Sequence, residues 1–260
     1  MSNALNLGKL FGIRFRLHFT WFVIFILVTL LLVHPDYLQW PYWVMGIITS
    51  LLFFASVAAH ELAHSLVGRV NGLPIESITL FIFGGVAQMT KAVTRPATEL
   101  KMAAAGPICS LVIGGIFGLL WLCLPNITEP IATMILWLAI MNGVLAVFNL
   151  IPGFPLDGGR VFRSLLWRFT GNYESSTRIA TRVGQGIGYL FILGGISIIF
   201  LRPFGLSWFD GIWIVFIGWF LESTASASYR QVRWRKTHCG FIAQKETIPD
   251  YPVVPLDTPD

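Results

Sequence analysis

Residues 37–59 contain no Asp, Glu, Lys or Arg, and the run ends in His60-Glu61-Leu62-Ala63-His64. A charge-free segment of this length, wound as a helix, extends over about 34 Å, enough to cross a hydrocarbon core of about 30 Å. Comparable aliphatic and aromatic runs recur along the 260 residues, separated by charged or Pro-containing breaks. Hydrophobic residues make up 55% of the chain and charged residues 12%, whereas about a quarter of a soluble domain is charged. In lipid every backbone polar group must be satisfied within its own segment, so runs of this length predict helices. The expected fold is an all-α polytopic membrane protein.

The runs place six transmembrane helices at 19–33, 43–66, 102–124, 131–151, 183–201 and 208–226. In the last, Asp210 and Glu222 leave only Gly211 to Leu221 free of charge, although Trp208, Trp213 and Trp219 suit an interfacial helix. Lys9, Arg14 and Arg16 before the first run resemble the start of a signal peptide. Leu31-Leu32-Val33-His34-Pro35 offers no small-residue cleavage site, however, so the run is read as an anchor. Lys and Arg number three in the N-terminal segment, four in 67–101, five in 152–182 and five from 229 onward, against Arg202 alone on the opposite side. The positive-inside rule then puts both termini in the cytoplasm and His60 and His64 in the cytoplasmic half of the second span. This distribution explains the net charge of +5 without nucleic acid as a partner. Cys109, Cys123 and Cys239 have no paired spacing, which argues against a disulfide framework.

Two domains are expected: a membrane core over 1–228 and a cytoplasmic tail over 229–260. The tail starts with Arg230, Arg233, Arg235 and Lys236, suited to anionic headgroups, and becomes a linker with Pro249, Pro252, Pro255 and Pro259.

On a helix, His60 and His64 lie about 6 Å apart along the axis and roughly 40° apart around it, so one ion can reach both imidazoles. A charged group within a span costs about 2.5–3.5 kcal/mol on insertion scales, and a metal beside Glu61 compensates for it. Zinc in such a site lowers the pKa of its bound water towards about 7, and a neighbouring glutamate takes the proton as that water attacks a carbonyl. The alternative is a pair of core histidines without metal. The fourth span ends in Asn149-Leu150-Ile151-Pro152-Gly153-Phe154-Pro155-Leu156-Asp157-Gly158-Gly159-Arg160. Its prolines and glycines break the helix, bringing Asp157 to the same depth as a third ligand. Alternatively, Asp157 is a helix N-cap or a solvated residue.

Together these segments resemble the site-2 protease family of intramembrane zinc metalloproteases. The resemblance rests on His60-Glu61-x-x-His64 and Asn149-x-x-Pro152-x-x-Pro155-Leu156-Asp157-Gly158-Gly159, with Phe83-Gly84-Gly85 and Gly106-Pro107 as further pieces. It implies one Zn2+ per chain held by His60, His64 and Asp157, with Glu61 as general base. It also implies hydrolysis of a peptide bond within or next to a transmembrane segment of a membrane-anchored protein substrate. The chain resembles the members without a PDZ domain. Paired CBS domains and nucleotide control, found in some relatives, would require a longer chain. The expected location is a prokaryotic cell membrane, with the lipid bilayer as the other partner.

Pro74 to Met89 reads as a membrane-associated β-hairpin turning at Gly84-Gly85, whose free edge could pair with an unwound substrate or merely pack. Asn149 is a candidate for binding the substrate carbonyl, or else an interhelical hydrogen bond. Gly84 and Gly85 are further candidate substrate-binding positions. Gly106-Pro107 reads as packing that allows close approach to the catalytic span, and Asn142 resembles a family position that bundle packing explains equally well. His18, His34 and His238 lack ligand partners at useful spacing. Two other classes use similar residues. A zinc transporter or sensor predicts acidic residues on both sides of the membrane, and Asp36, Glu129 and Asp210 form no visible relay. A prenyl-protein protease predicts a distant glutamate as third ligand.

Overall fold

The computed structural model describes residues 4–33, 40–82, 84–89, 93–124, 128–202, 205 and 207–245; of residues 86, 89, 228, 229 and 231–245 it describes the backbone alone. His34, Asp36, Phe83 and the prolines from Pro249 onward lie outside the described residues, as do the side chains of Arg233, Arg235, Lys236, His238 and Cys239. In chain order the elements are β1 (Ala4–Leu10), β2 (Ile13–His18), α1 (Thr20–Leu32), α2 (Trp40–Val70), β3 (Ile75–Phe81) and β4 (Gly84–Met89). They continue as α3 (Pro96–Cys123), α4 (Glu129–Asn149), α5 (Asp157–Thr170), α6 (Tyr173–Leu201) and α7 (Trp208–Lys245).

Each of the six expected spans falls on a helix. Among the described residues, α2, α3, α4 and α6 are long and apolar enough to cross a membrane. The first run forms α1, a 13-residue helix about 20 Å long, shorter than the hydrocarbon core. In α7, Asp210 and Glu222 interrupt the apolar run, and the helix continues through the basic stretch to Lys245. Large apolar side chains such as Val112, Leu119, Val144 and Leu190 point outward from these helices. That distribution suits a lipid surround, where exposed aliphatic groups carry no hydration cost.

The hairpin expected over residues 74–89 is present as antiparallel β3 and β4, but Gly84 and Gly85 do not form its turn: they open β4, paired with Phe81 and Leu80, with Gly84 at φ +119°. It belongs to a larger sheet than the sequence pattern suggests. The basic N-terminal segment forms a second hairpin, and the strand order is β1-β2-β3-β4, with β2 parallel to β3. Leu10 pairs with Ile13 across a two-residue turn, Phe11-Gly12, in which both residues have positive φ. A turn with two positive φ values matches the right-handed twist of its strands. Arg69, in the last turn of α2, donates to the Phe11 carbonyl and so ties this turn to α2.

The sheet buries one face. Ile13, Phe15 and Leu17 alternate with Arg14, Arg16 and His18, and with Ile78, Leu80 and Trp21 they pack against Phe54, Ala58, Leu62 and Leu66 of α2. Positions 58, 62 and 66 succeed each other at one-turn spacing, and 60 and 64 lie two residues out of phase, about 200° around the helix. One side of α2 therefore carries the sheet while the opposite side is left for His60 and His64.

The segment 152–182, expected to be a broken connection, instead contains α5 and the start of α6. Gly171 closes α5 in the left-handed conformation, and the Asn172 side chain caps α6 by accepting from the Ser175 amide at 3.0 Å. Helices α6 and α7 pair along small residues: a Cβ on Gly195 would lie 2.7 Å from the Gly211 carbonyl and from Val215, whereas one on Gly194 would meet nothing within 4 Å. Overpacking of this kind costs about 1–3 kcal/mol. Gly195→Ala should therefore lower the thermal midpoint in detergent by several degrees, and Gly194→Ala should leave it unchanged. Equal midpoints for the two variants would contradict the pairing of α6 with α7.

Candidate metal centre

His60 and His64 stand out among the buried residues of α2, which are otherwise Gly, Ser and Thr. Their rings lie 4.8 Å apart at 78°, and both Nε2 atoms point at one oxygen of Asp157. The separations are 3.1 Å from His60 and 2.9 Å from His64 to Asp157 Oδ2. Asp157 reaches this position as the first residue of α5, where the unpaired amides of a helix N-terminus favour a carboxylate. The glycines after it are required by packing. A Cβ on Gly158 would lie 2.2 Å from the Leu150 carbonyl, and one on Gly159 2.4 Å from the Gly153 carbonyl carbon. The loop 150–156 thus folds directly under the start of α5, and its Phe154–Pro155 peptide is cis.

Helix α3 orients both rings from behind. His64 Nδ1 donates to the Met102 carbonyl at 2.6 Å, and Ser110 Oγ lies 2.8 Å from His60 Nδ1. A carbonyl only accepts, so His64 carries its proton on Nδ1 and turns the Nε2 lone pair towards Asp157. Arg160 Nη1 sits 3.8 Å from the other oxygen, Oδ1.

Three electron-pair donors therefore converge in a nearly dry site: relative exposure is 3% for His60 and 6% for His64, and 12% for the Asp157 side chain. Their ligand atoms all lie within 4.8 Å of one another. Ligand atoms arranged tetrahedrally about zinc are about 3.3 Å apart, so small outward shifts of these three would accommodate the ion. The chemistry fits as well, since two imidazoles, each with its far nitrogen held by a hydrogen bond, and one carboxylate form an ordinary zinc ligand set.

Glu61 lies beside this group. It interacts electrostatically with His64, His60 and Asp157, and the Gly85 backbone amide faces its carboxylate. A Cβ on Gly85 would come within 2.5 Å of Glu61 Cγ, and one on Gly84 within 3.9 Å of Glu61 Oε1. The start of β4 is thus packed onto Glu61. Gly106, read from sequence as a packing residue, provides clearance for the site itself. A Cβ there would stand 2.2 Å from His64 Nε2 and 2.5 Å from His60 Nε2.

Other expected positions lie elsewhere. Asn149 ends α4, and its Nδ2 donates to the Leu145 carbonyl at 2.9 Å. Asn142 is buried and bridges α4 to α2 through Ser56 Oγ at 3.2 Å, as a packing residue should. His18 Nδ1 lies 2.9 Å from Thr20 Oγ1 at the end of β2. Cys109 and Cys123 are free thiols. Ser110, the Met102 carbonyl and Arg160 are absent from the sequence-based candidates. Of these, Ser110 carries a signal in the sequence, lying one turn beyond Gly106 on the face that approaches the histidines.

This geometry agrees with known proteins. The model of peptidase family M50 matches residues 48–132 and 124–194. Synechocystis sp. sll0528 is 41% identical over 98% of this chain and 67% of its own length. Mycobacterium tuberculosis Rip3 is 33% identical over 96% of this chain and 66% of its own length. Both carry zinc metalloprotease in their names, and the chain spans about two-thirds of each. The solved site-2 protease from Methanocaldococcus jannaschii superposes with a TM-score of 0.61 at 28% identity, covering 87% of this chain and 95% of that one. With four long apolar helices among its described residues, the protein is an integral membrane protein. The His-Glu-x-x-His helix, the converging aspartate and these likenesses lead to one assignment: the chain belongs to peptidase family M50, the site-2 protease family of zinc metalloproteases.

Proposed function

We propose that this protein is an intramembrane endopeptidase that hydrolyses a peptide bond within or next to a transmembrane segment of a membrane-anchored substrate. The observation that carries this reading is the meeting of His60, His64 and Asp157 from separate elements, with Glu61 at their side. His60, His64 and Asp157 hold the zinc, and Glu61 is the general base. Zinc bound there supplies Lewis acidity that activates water and polarises the scissile carbonyl.

The chain's own groups perform the remaining tasks. The Glu61 carboxylate accepts the proton of the attacking water and returns it to the departing amine. The Gly85 amide restrains that carboxylate, and Ser110 and the Met102 carbonyl keep both imidazoles turned inward. A substrate helix must unwind before its amides can be attacked. Strand β4, paired with β3 on one side, offers its other edge to the extended segment, close to Glu61. Gly84 and Gly85 form the part of that edge nearest the carboxylate. Asn149 spends one N–H on Leu145, and its second is directed to the substrate carbonyl.

Six crossings, with α1 and α7 completing the bundle, put both termini and the site on the cytoplasmic side of a cell membrane. Support comes from charge: Arg160, Arg163, Arg168, Arg178 and Arg182 lie on α5 and the first half of α6, and Arg202 lies at the opposite end of α6.

Glu61→Gln should bind zinc like the parent and cleave a single-span model substrate about 10²–10⁴ times more slowly. Unchanged cleavage by this variant would remove Glu61 from the mechanism. Gly106→Ala should lose zinc, because its methyl group occupies the space between the imidazoles, whereas Gly115→Ala on the same helix meets nothing within 4 Å and should retain it. Zinc analysis of the two proteins makes the comparison, and full zinc in Gly106→Ala would contradict the site.

A further inference from the structure

Arg163 comes six residues after Asp157 on α5 and touches none of the converging ligand atoms, yet three parts of the fold close on it. It donates through Nη2 to Glu99, which is fully buried in the first turn of α3. Its guanidinium carbon also lies 4.8 Å from the ring centroids of both Phe154 and Tyr173. Each partner belongs to an element that matters for the site. Glu99 shares α3 with Met102, Gly106 and Ser110. Phe154 belongs to the loop that delivers Asp157, and its backbone is packed against Gly184 of α6. Tyr173 opens α6.

Stability alone is a poor reason for such an arrangement, since apolar residues of similar volume often serve a buried ion pair's place equally well. Geometry is a better one. A guanidinium with two rings against it and one nitrogen bonded to a buried carboxylate is restricted in orientation as well as in position. Through its tether to the backbone it fixes the rotation of α5. At a side-chain radius of about 6 Å, a 20° rotation of a helix moves an atom by about 2 Å. Metal–ligand distances tolerate only about 0.2 Å.

We propose that Arg163 is a positioning residue: the Glu99–Arg163 pair, with the rings of Phe154 and Tyr173 packed against the guanidinium, sets the rotation of α5 that brings Asp157 onto His60 and His64. This inference rests on the reading of Asp157 as a zinc ligand. It assigns the buried ion pair a task in metal binding that neither partner performs by contact.

The test uses the double variant Glu99→Leu/Arg163→Met, which removes both charges and leaves neither one buried alone. Zinc affinity is measured by chelator competition on the detergent-purified chain, and Co2+ loaded in place of zinc reports ligand geometry through its visible spectrum. A thermal melt establishes that the variant is folded. The expected result is a folded protein that binds zinc about 10- to 100-fold more weakly, with an altered cobalt spectrum. A folded double variant with the parent's affinity and spectrum would overturn the proposal. If the double variant does not fold, Arg163→Lys decides, because it keeps the charge and loses the planar fork: weakened zinc binding supports the proposal and parental affinity overturns it. Asp157→Ala, measured alongside, separates the two readings. Retention of zinc there overturns the ligand assignment itself, whereas its loss there with parental affinity in the double variant overturns the positioning role alone.

Discussion

The structure depends on bringing three electron-pair donors together where water is scarce. His60 and His64 present their Nε2 atoms to Asp157 Oδ2 at about the spacing that a shared cation imposes. Buried donors with no proton or cation between them repel one another, and water is not there to screen them. The surrounding elements answer that constraint. Helix α3 fixes the far nitrogen of each ring, Gly106 removes the side chain that would fill the centre, and the loop before α5 folds tightly enough to bring Asp157 in at a helix N-terminus.

Helix α2 serves two environments because its faces are out of phase. Ala58, Leu62 and Leu66 carry the sheet, and His60 and His64, some 200° away, face α3 and α5. Glu61 falls between these faces and meets the start of β4. The sheet is therefore more than a surface ornament, since it places a strand edge beside Glu61, the carboxylate that adjoins His60, His64 and Asp157. Arg69 reinforces the arrangement by gripping the β1–β2 turn from the end of the same helix. The proposed proteolysis needs an extended substrate, a metal site and restricted water close together, and in that proposal α2 is the element common to all three.

The membrane character and the long helices are legible in the sequence because lipid imposes a simple rule on it: a long run without charge must become a helix. His60, Glu61, His64 and Asp157 can be picked out because their residue types are costly in that setting unless something compensates. The first hairpin is harder to see, although Ile13, Phe15 and Leu17 alternate with Arg14, Arg16 and His18 at the strand period, because the basic residues there also carry the topology signal. Helix α5 is hidden by the prolines and glycines before it, which signal a break but give no sign that a helix resumes at Asp157. Ser110, Arg160 and the Glu99–Arg163 pair depend on which helices become neighbours. Nothing in local sequence shows that Glu99 and Arg163, 64 positions apart, share a buried contact. Gly106 shows the same limit in milder form. Its smallness announces a close approach, and only the fold reveals that the approaching groups are the two imidazoles.

The central claim is that one zinc ion is shared by the two histidines of α2 and the aspartate of α5. Elemental analysis of the full chain purified in detergent, beside His64→Ala prepared in the same way, tests it most directly. The account predicts one zinc per chain in the parent and almost none in the variant. Undiminished zinc in His64→Ala, or none in a parent protein prepared without chelators, would contradict it.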